Sequence, residues 1–169
     1  VAAAFALVLA SCGDPPEVRL VALSDEIQRV CGVLAARMVK EWKAMETAGR
    51  RPLSFGVAEL SYLDDSRARC QGALRLLDEL DRKRPRADEP LESQLRSLVV
   101  VDRLLLASVV DPDMDAQAMF ATASTYSDTY VLVRAQIERH RPLEDSDQQR
   151  IVDSLLPRWR ELTPARVSP

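Results

Sequence analysis

Apolar residues recur every three or four positions through most of this chain, and this spacing constrains its fold more than any other feature. The first such segment begins at Ser24, a typical N-cap residue, and two acids follow it where the helix dipole favours anions. Gly49 is a typical residue for a helix end. The pattern predicts an amphipathic helix over residues 24–49, with apolar positions at Ile27, Cys31, Leu34, Met38, Trp42 and Met45.

The same pattern predicts further helices over residues 56–83 and 91–110, separated by prolines. The helix over 91–110 is apolar around most of its circumference, so we expect it to be the most buried. A fourth helix follows Asp111 and Pro112, a cap with proline at the first helical position, and runs to about residue 140. Ser146 and Gln149 form a capping box for a short fifth helix, which Pro157 should end or kink.

Four long antiparallel helices and a short C-terminal helix make an all-α helical bundle the predicted fold class. The bundle is expected over residues 23–162, and a tail over 163–169.

The eleven residues before Cys12 carry no charge and are almost all apolar. Such a stretch fits the core of a secretory signal and is too short to span a bilayer. It ends in Leu9-Ala10-Ser11-Cys12, which resembles the lipobox of bacterial lipoproteins. The resemblance covers only the processing signal. It implies a signal peptide over residues 1–11, preceded by a short basic segment that this sequence does not contain.

Cleavage at the lipobox would leave Cys12 as the lipidated residue, with a tether over residues 12–22. The predicted location is therefore the bacterial cell envelope, with a membrane as partner through the anchor. Gly13 rather than aspartate follows the cysteine, which under enteric-type sorting implies the periplasmic face of the outer membrane in a Gram-negative cell. The alternative is a buried N-terminal helix whose cysteine is incidental.

Two cysteines remain, and an exported protein is expected to pair them. If the first two helices form a hairpin that turns near residue 51, Cys31 and Cys70 lie at equal distances from the turn, because (31 + 70)/2 is 50.5. Both also lie on the apolar stripes of their helices. The sequence predicts a Cys31–Cys70 disulfide, and the alternative is two buried free thiols.

The composition limits the chemistry that the chain can perform. The formal net charge of −3 gives no basic field for nucleic acid. There is one histidine, His140, and no metal-binding spacing or glycine-rich phosphate loop, so no metal or cofactor is predicted. A basic run of Arg82, Lys83, Arg84 and Arg86 is either a membrane-facing cluster or a solvated helix end.

Asp102 is the acidic residue whose predicted position is the least favourable for a charge. On a helical projection it falls among apolar positions of the helix over 91–110. A buried carboxylate must pair, protonate or face a cavity. We expect an ion pair with an arginine of a neighbouring helix, such as Arg67, and the alternative is a functional acid.

These features favour a non-enzymatic envelope lipoprotein that binds another envelope protein, in an assembly or chaperone-like role. In size, lipobox and predicted disulfide the chain resembles secretin pilotins and periplasmic helical chaperones. One alternative is a ligand-binding or haem-binding four-helix bundle like the small b-type cytochromes. His140 fits the position of one axial ligand, but Met38 and Met45 lie towards the wrong end of the first helix for the other. Another is an enzyme acting through two carboxylates, of which Asp102 would be one.

Overall fold

The computed structural model describes residues 13–50, 63–111 and 113–165. Over these ranges the chain forms helices and no strand, which confirms the all-α bundle. The α-helices are α1 (Pro16–Ile27), α2 (Val33–Thr47), α3 (Leu63–Lys83), α4 (Leu91–Val110), α5 (Ala116–His140) and α6 (Asp145–Leu162). A five-residue π-helix, Gln28–Gly32, joins α1 to α2 and is called the π-segment below.

The first predicted helix begins eight residues earlier than expected, at Pro16 rather than Ser24. Proline is well suited to the first turn of a helix, where its missing N–H costs nothing. The predicted tether is therefore wrong over residues 16–22, and Ser24 is a buried residue of the helix and not its cap. The four residues from Leu20 to Leu23 are all buried, and a helix covered on every side shows no apolar period.

The end of α2 follows the prediction at Gly49, which has a φ of +73°. Its N–H donates to the carbonyl of Glu46, and the N–H of Arg50 donates to the carbonyl of Met45. This pair of hydrogen bonds is a Schellman motif, in which glycine takes the left-handed conformation at least cost. The start of the second predicted helix, near residue 56, lies outside the described residues.

A single hydrophobic core runs through the bundle. α4 packs against α3 and α5, while α1 packs against α3, α4 and α6. α4 was expected to be the most buried helix, and ten of its twenty residues are buried. α1 exceeds it, with seven of twelve residues buried, because it lies between three other helices.

Both C-terminal helices differ from the prediction at their ends. The cap of α5 is Asp115, whose carboxylate accepts hydrogen bonds from two backbone N–H groups of the first turn, and not Asp111. α6 begins at Asp145 and has eighteen residues, so it is not short. It continues through Pro157 to Leu162, because the buried Trp159 holds its last turns against α3.

Candidate functional site

The predicted disulfide is confirmed, and it joins the π-segment to α3. Cys31 of the π-segment is bonded to Cys70 of α3, with a Cα–Cα distance of 6.0 Å, and both residues are fully buried. A π-turn inserts an extra residue into a helix and often marks a functional position. The π-segment directs Cys31 into the core, while Arg29 and Val30 line a surface groove.

Asp102 lies fully buried beside the start of the π-segment. Its Oδ1 accepts a hydrogen bond of 2.9 Å from Nε2 of Gln28. Its Oδ2, like the nearby hydroxyl of Ser24, makes no hydrogen bond of normal geometry. The prediction of a buried acid is therefore right, but its main partner is a neutral amide.

Burial raises the pKa of Asp102 to about 7, because the charged form is poorly solvated inside the bundle. The Ser24 hydroxyl and the Gln28 amide act in the opposite direction, and the negative charge of Asp25 raises the pKa further. The carboxyl thus changes its protonation state in the neutral range.

A second acid, Asp25, is held nearby by one cation and one hydroxyl of α5. Nε of Arg134 donates to its two oxygens at 2.9 and 3.1 Å, and the Tyr130 hydroxyl donates to the same carboxylate. Arg134 also pairs with Glu138. Burial, together with the negative charge of Asp25, raises the pKa of Tyr130. These contacts link α1 to α5 and compensate the charge of Asp25, so the arrangement is well suited to holding helices together.

The predicted ion pair between Asp102 and an arginine is wrong. Within the described part of the chain no arginine forms a salt bridge with Asp102. Nε of Arg67 instead donates to the backbone carbonyl of Val109 at 3.2 Å. That carbonyl belongs to the last turn of α4, which lacks helical partners and attracts cations. Asp25 and Asp102 line neither of the two surface recesses described next.

An open groove runs along the outer side of the π-segment, between it and helices α3 and α6. One part has a volume of about 460 Å³ and the adjoining part about 260 Å³, and Val30 and Arg69 line both. We call it the arginine groove, after the four arginines that line it. Its lining is formed by Glu26, Arg29, Val30, Val33, Leu34, Arg37, Ser66, Arg69, Cys70, Leu156, Trp159, Arg160 and Thr163.

The charges of the arginine groove are unevenly compensated. Arg29 pairs with Glu26, and Arg37 pairs with Glu41. The guanidinium groups of Arg69 and Arg160 form no ion pair with any residue that the structure describes. The groove therefore carries an excess of positive charge on a chain whose net charge is −3.

Apolar surface accompanies these cations. Val33 is 63% exposed, which is unusual for a large apolar side chain beside a groove. The buried Trp159 lines the other part of the groove, and its indole N–H donates to the carbonyl of Arg69 at 2.8 Å, which fixes α6 against α3. No linear motif joins these residues, because they come from α1, α2, α3, α6 and the π-segment. The sequence therefore gave no signal for this groove.

The predicted basic cluster is not one continuous surface. The Arg84 side chain is only 5% exposed and bonds to Glu92 at 2.6 Å, so its membrane-facing role is wrong. Lys83 pairs with Glu79, while Arg82 and Arg86 are exposed. Hydrogen bonds from Arg84 lower the pKa of Glu92 to about 2, although burial opposes them. Arg84 turns inward because Glu92 at the start of α4 offers it a buried carboxylate.

Other predicted positions are placed as follows. Cys12 and residues 1–11 lie outside the described residues. His140 is exposed at the end of α5, whereas Met38 is fully buried, and this difference does not favour paired haem ligation. Among the residues described, no three His, Cys, Asp or Glu side chains are grouped to hold a metal ion. No helix in the described ranges is long and apolar enough to cross a membrane.

Comparison of the chain with protein-family models, with curated proteins and with solved structures gives no match. The function is therefore inferred from the sequence signals and from the geometry of the arginine groove.

Proposed function

We propose that this chain is a lipid-anchored protein of the bacterial cell envelope whose helical bundle binds another envelope protein through the arginine groove. The observation that carries the binding role is an open groove with two uncompensated arginines, Arg69 and Arg160. Arg69 lines one part of it together with the exposed Val33, and Arg160 lines the other part. Exposed apolar surface next to arginine is typical of protein interaction sites, where arginine is enriched.

The anchor and the compartment are supported by the sequence and by the disulfide. Leu9-Ala10-Ser11-Cys12 supplies the processing signal and the cysteine that would receive the lipid. The Cys31–Cys70 disulfide fits an oxidising compartment. A non-enzymatic role is favoured because Asp102, the acid that looked most functional, is buried and accepts a hydrogen bond from Gln28, while Asp25 is paired with Arg134.

Site-specific photo-crosslinking in living cells tests the binding role. A photoreactive amino acid replaces Val33 in the groove, and the matched control replaces Val131, which is 59% exposed on α5. We expect a discrete adduct with one envelope protein from position 33 and none from position 131. Equal labelling at both positions, or no adduct at position 33, would contradict the proposal.

A Cys12→Ala variant tests the proposed lipid anchor. Wild-type protein should incorporate an alkyne-labelled fatty acid and sediment with membranes. The variant should lose both properties, because the thiol is the only acceptor in the lipobox. Sedimentation and labelling that persist without Cys12 would refute lipidation at this residue.

A further inference from the structure

The arginine groove has a chemistry that specifies its partner more closely than a general interaction surface does. Arg69 enters it from α3 and Arg160 from α6, while Arg29 and Glu26 largely cancel each other. Two positive charges are thus available to a ligand. Each guanidinium offers a planar set of donors that matches a carboxylate.

The apolar part of the groove limits which kinds of anionic ligand can fill it. Val30, Val33 and Leu156 line it alongside the arginines, and Val33 is largely exposed. A polyanion without apolar groups would leave this surface uncovered. A polypeptide that combines acidic and apolar side chains would satisfy both parts.

The shape of the groove favours a polypeptide segment over a membrane surface as the ligand. The lining lies in a recess between the π-segment, α3 and α6. A flat bilayer cannot enter such a recess, whereas a single extended or helical segment can. The two parts of the groove share Val30 and Arg69 in their lining, so a segment of several residues that passes these two side chains could contact both parts.

We propose that the arginine groove binds an acidic polypeptide segment of the partner, with carboxylates paired to Arg69 and Arg160 and an apolar side chain against Val33. This inference rests on the proposed protein-binding function and names the chemistry of its partner. Because the pairing is electrostatic and partly exposed, the affinity should fall as salt rises.

The test is fluorescence anisotropy with the purified full chain in detergent. The probe is a fluorescein-labelled peptide of alternating aspartate and leucine, and its matched control has asparagine in place of every aspartate. We expect the acidic peptide to bind at low salt and the neutral peptide to bind at least about tenfold more weakly. Equal binding of the two peptides would overturn the proposal.

A pair of double variants locates the binding site. The double variant Arg69→Gln with Arg160→Gln should bind the acidic peptide about tenfold more weakly. Two exposed or partly buried ion pairs, each worth up to about 1 kcal/mol, together account for a loss of that size. Arg82→Gln with Arg86→Gln removes the same charge from exposed arginines elsewhere and should change the affinity less than about twofold. Equal losses from both variants would mean a non-specific charge effect and would refute the site. Unchanged circular dichroism shows that the variants are folded.

Short-chain phosphatidylglycerol distinguishes a lipid headgroup from a peptide. If it binds through Arg69 and Arg160 and the acidic peptide does not, the groove takes an anionic lipid and the proposal is wrong. The proposed protein-binding function is tested separately, by the photo-crosslinking experiment. A position-33 adduct together with equal binding of both peptides would keep the protein-binding role and reject only the acidic partner.

Discussion

Replacing Asp102 with asparagine should stabilise the protein in alkaline solution and leave its stability nearly unchanged near pH 4. The carboxyl is fully buried, and its pKa in the folded protein is about 7, against 3.8 for the unfolded chain. A pKa raised by folding means that the folded state binds the proton more tightly. The resulting stability is fully present below about pH 4 and is lost as the pH rises through 7.

The size of the effect follows from the difference between the two pKa values. It is about three pH units, and each is worth about 1.4 kcal/mol, so ionising Asp102 costs about 4 kcal/mol of unfolding free energy above pH 8. Asparagine has almost the same shape and carries no charge. Its amide can still accept a hydrogen bond from Gln28 and can donate one to the Ser24 hydroxyl.

Urea unfolding followed by circular dichroism measures this effect, with the disulfide intact, at several values between about pH 4 and pH 9. The free energy of unfolding of Asp102→Asn should exceed that of the wild type by about 4 kcal/mol at the alkaline end. The difference should shrink to roughly 2 kcal/mol at pH 5 and to less than about 1 kcal/mol at pH 4. Asp128→Asn, an exposed acid on α5, is the control and should show no such trend. A difference between wild type and Asp102→Asn that does not depend on pH would refute the reasoning.

Three further changes probe the parts of the structure that hold the site in place. Replacing Cys31 and Cys70 together with serine should lower the free energy of unfolding by roughly 4 kcal/mol, since the bond closes a separation of 39 residues; an unchanged urea midpoint would contradict this. Glu92→Gln breaks a buried ion pair with Arg84 and should cost about 3–5 kcal/mol near neutral pH. Because the pKa of Glu92 is lowered to about 2, acid titration of the wild type should remove this contribution as the pH falls from 4.5 through 2. A urea midpoint of the wild type that does not fall over this range would contradict the contribution of the ion pair. Gly72→Ala should cost about 1–3 kcal/mol of unfolding free energy in the same assay, because a Cβ there lies 3.0 Å from the backbone of Thr163 at the C-terminal end of α6. An unchanged free energy of unfolding would contradict this close contact between α3 and the end of α6.

The sequence predicted well those features that depend on local periodicity. The disulfide followed from the equal distances of Cys31 and Cys70 from a turn, and Gly49 ended α2 as its conformational freedom suggested. The start of α1 was missed because Leu20 to Leu23 are buried on all sides and so show no period.

Features that depend on how helices align were beyond the sequence. The burial of Asp102 could be predicted from its own helix, but its partner Gln28 is selected by the register between the π-segment and α4. Arg84 looked like one cation in a surface run until the packing of α3 against α4 brought Glu92 to it. The arginine groove is formed by five separate elements, and no spacing along the chain connects Arg69 to Arg160.

The most direct test of the account is mass spectrometry of the N-terminal tryptic peptide of the protein from its native membrane. We predict a peptide that begins at Cys12, ends at Arg19 and carries acyl chains on the cysteine. An unmodified peptide that still includes residues 1–11 would contradict the anchor, and the envelope location would fall with it.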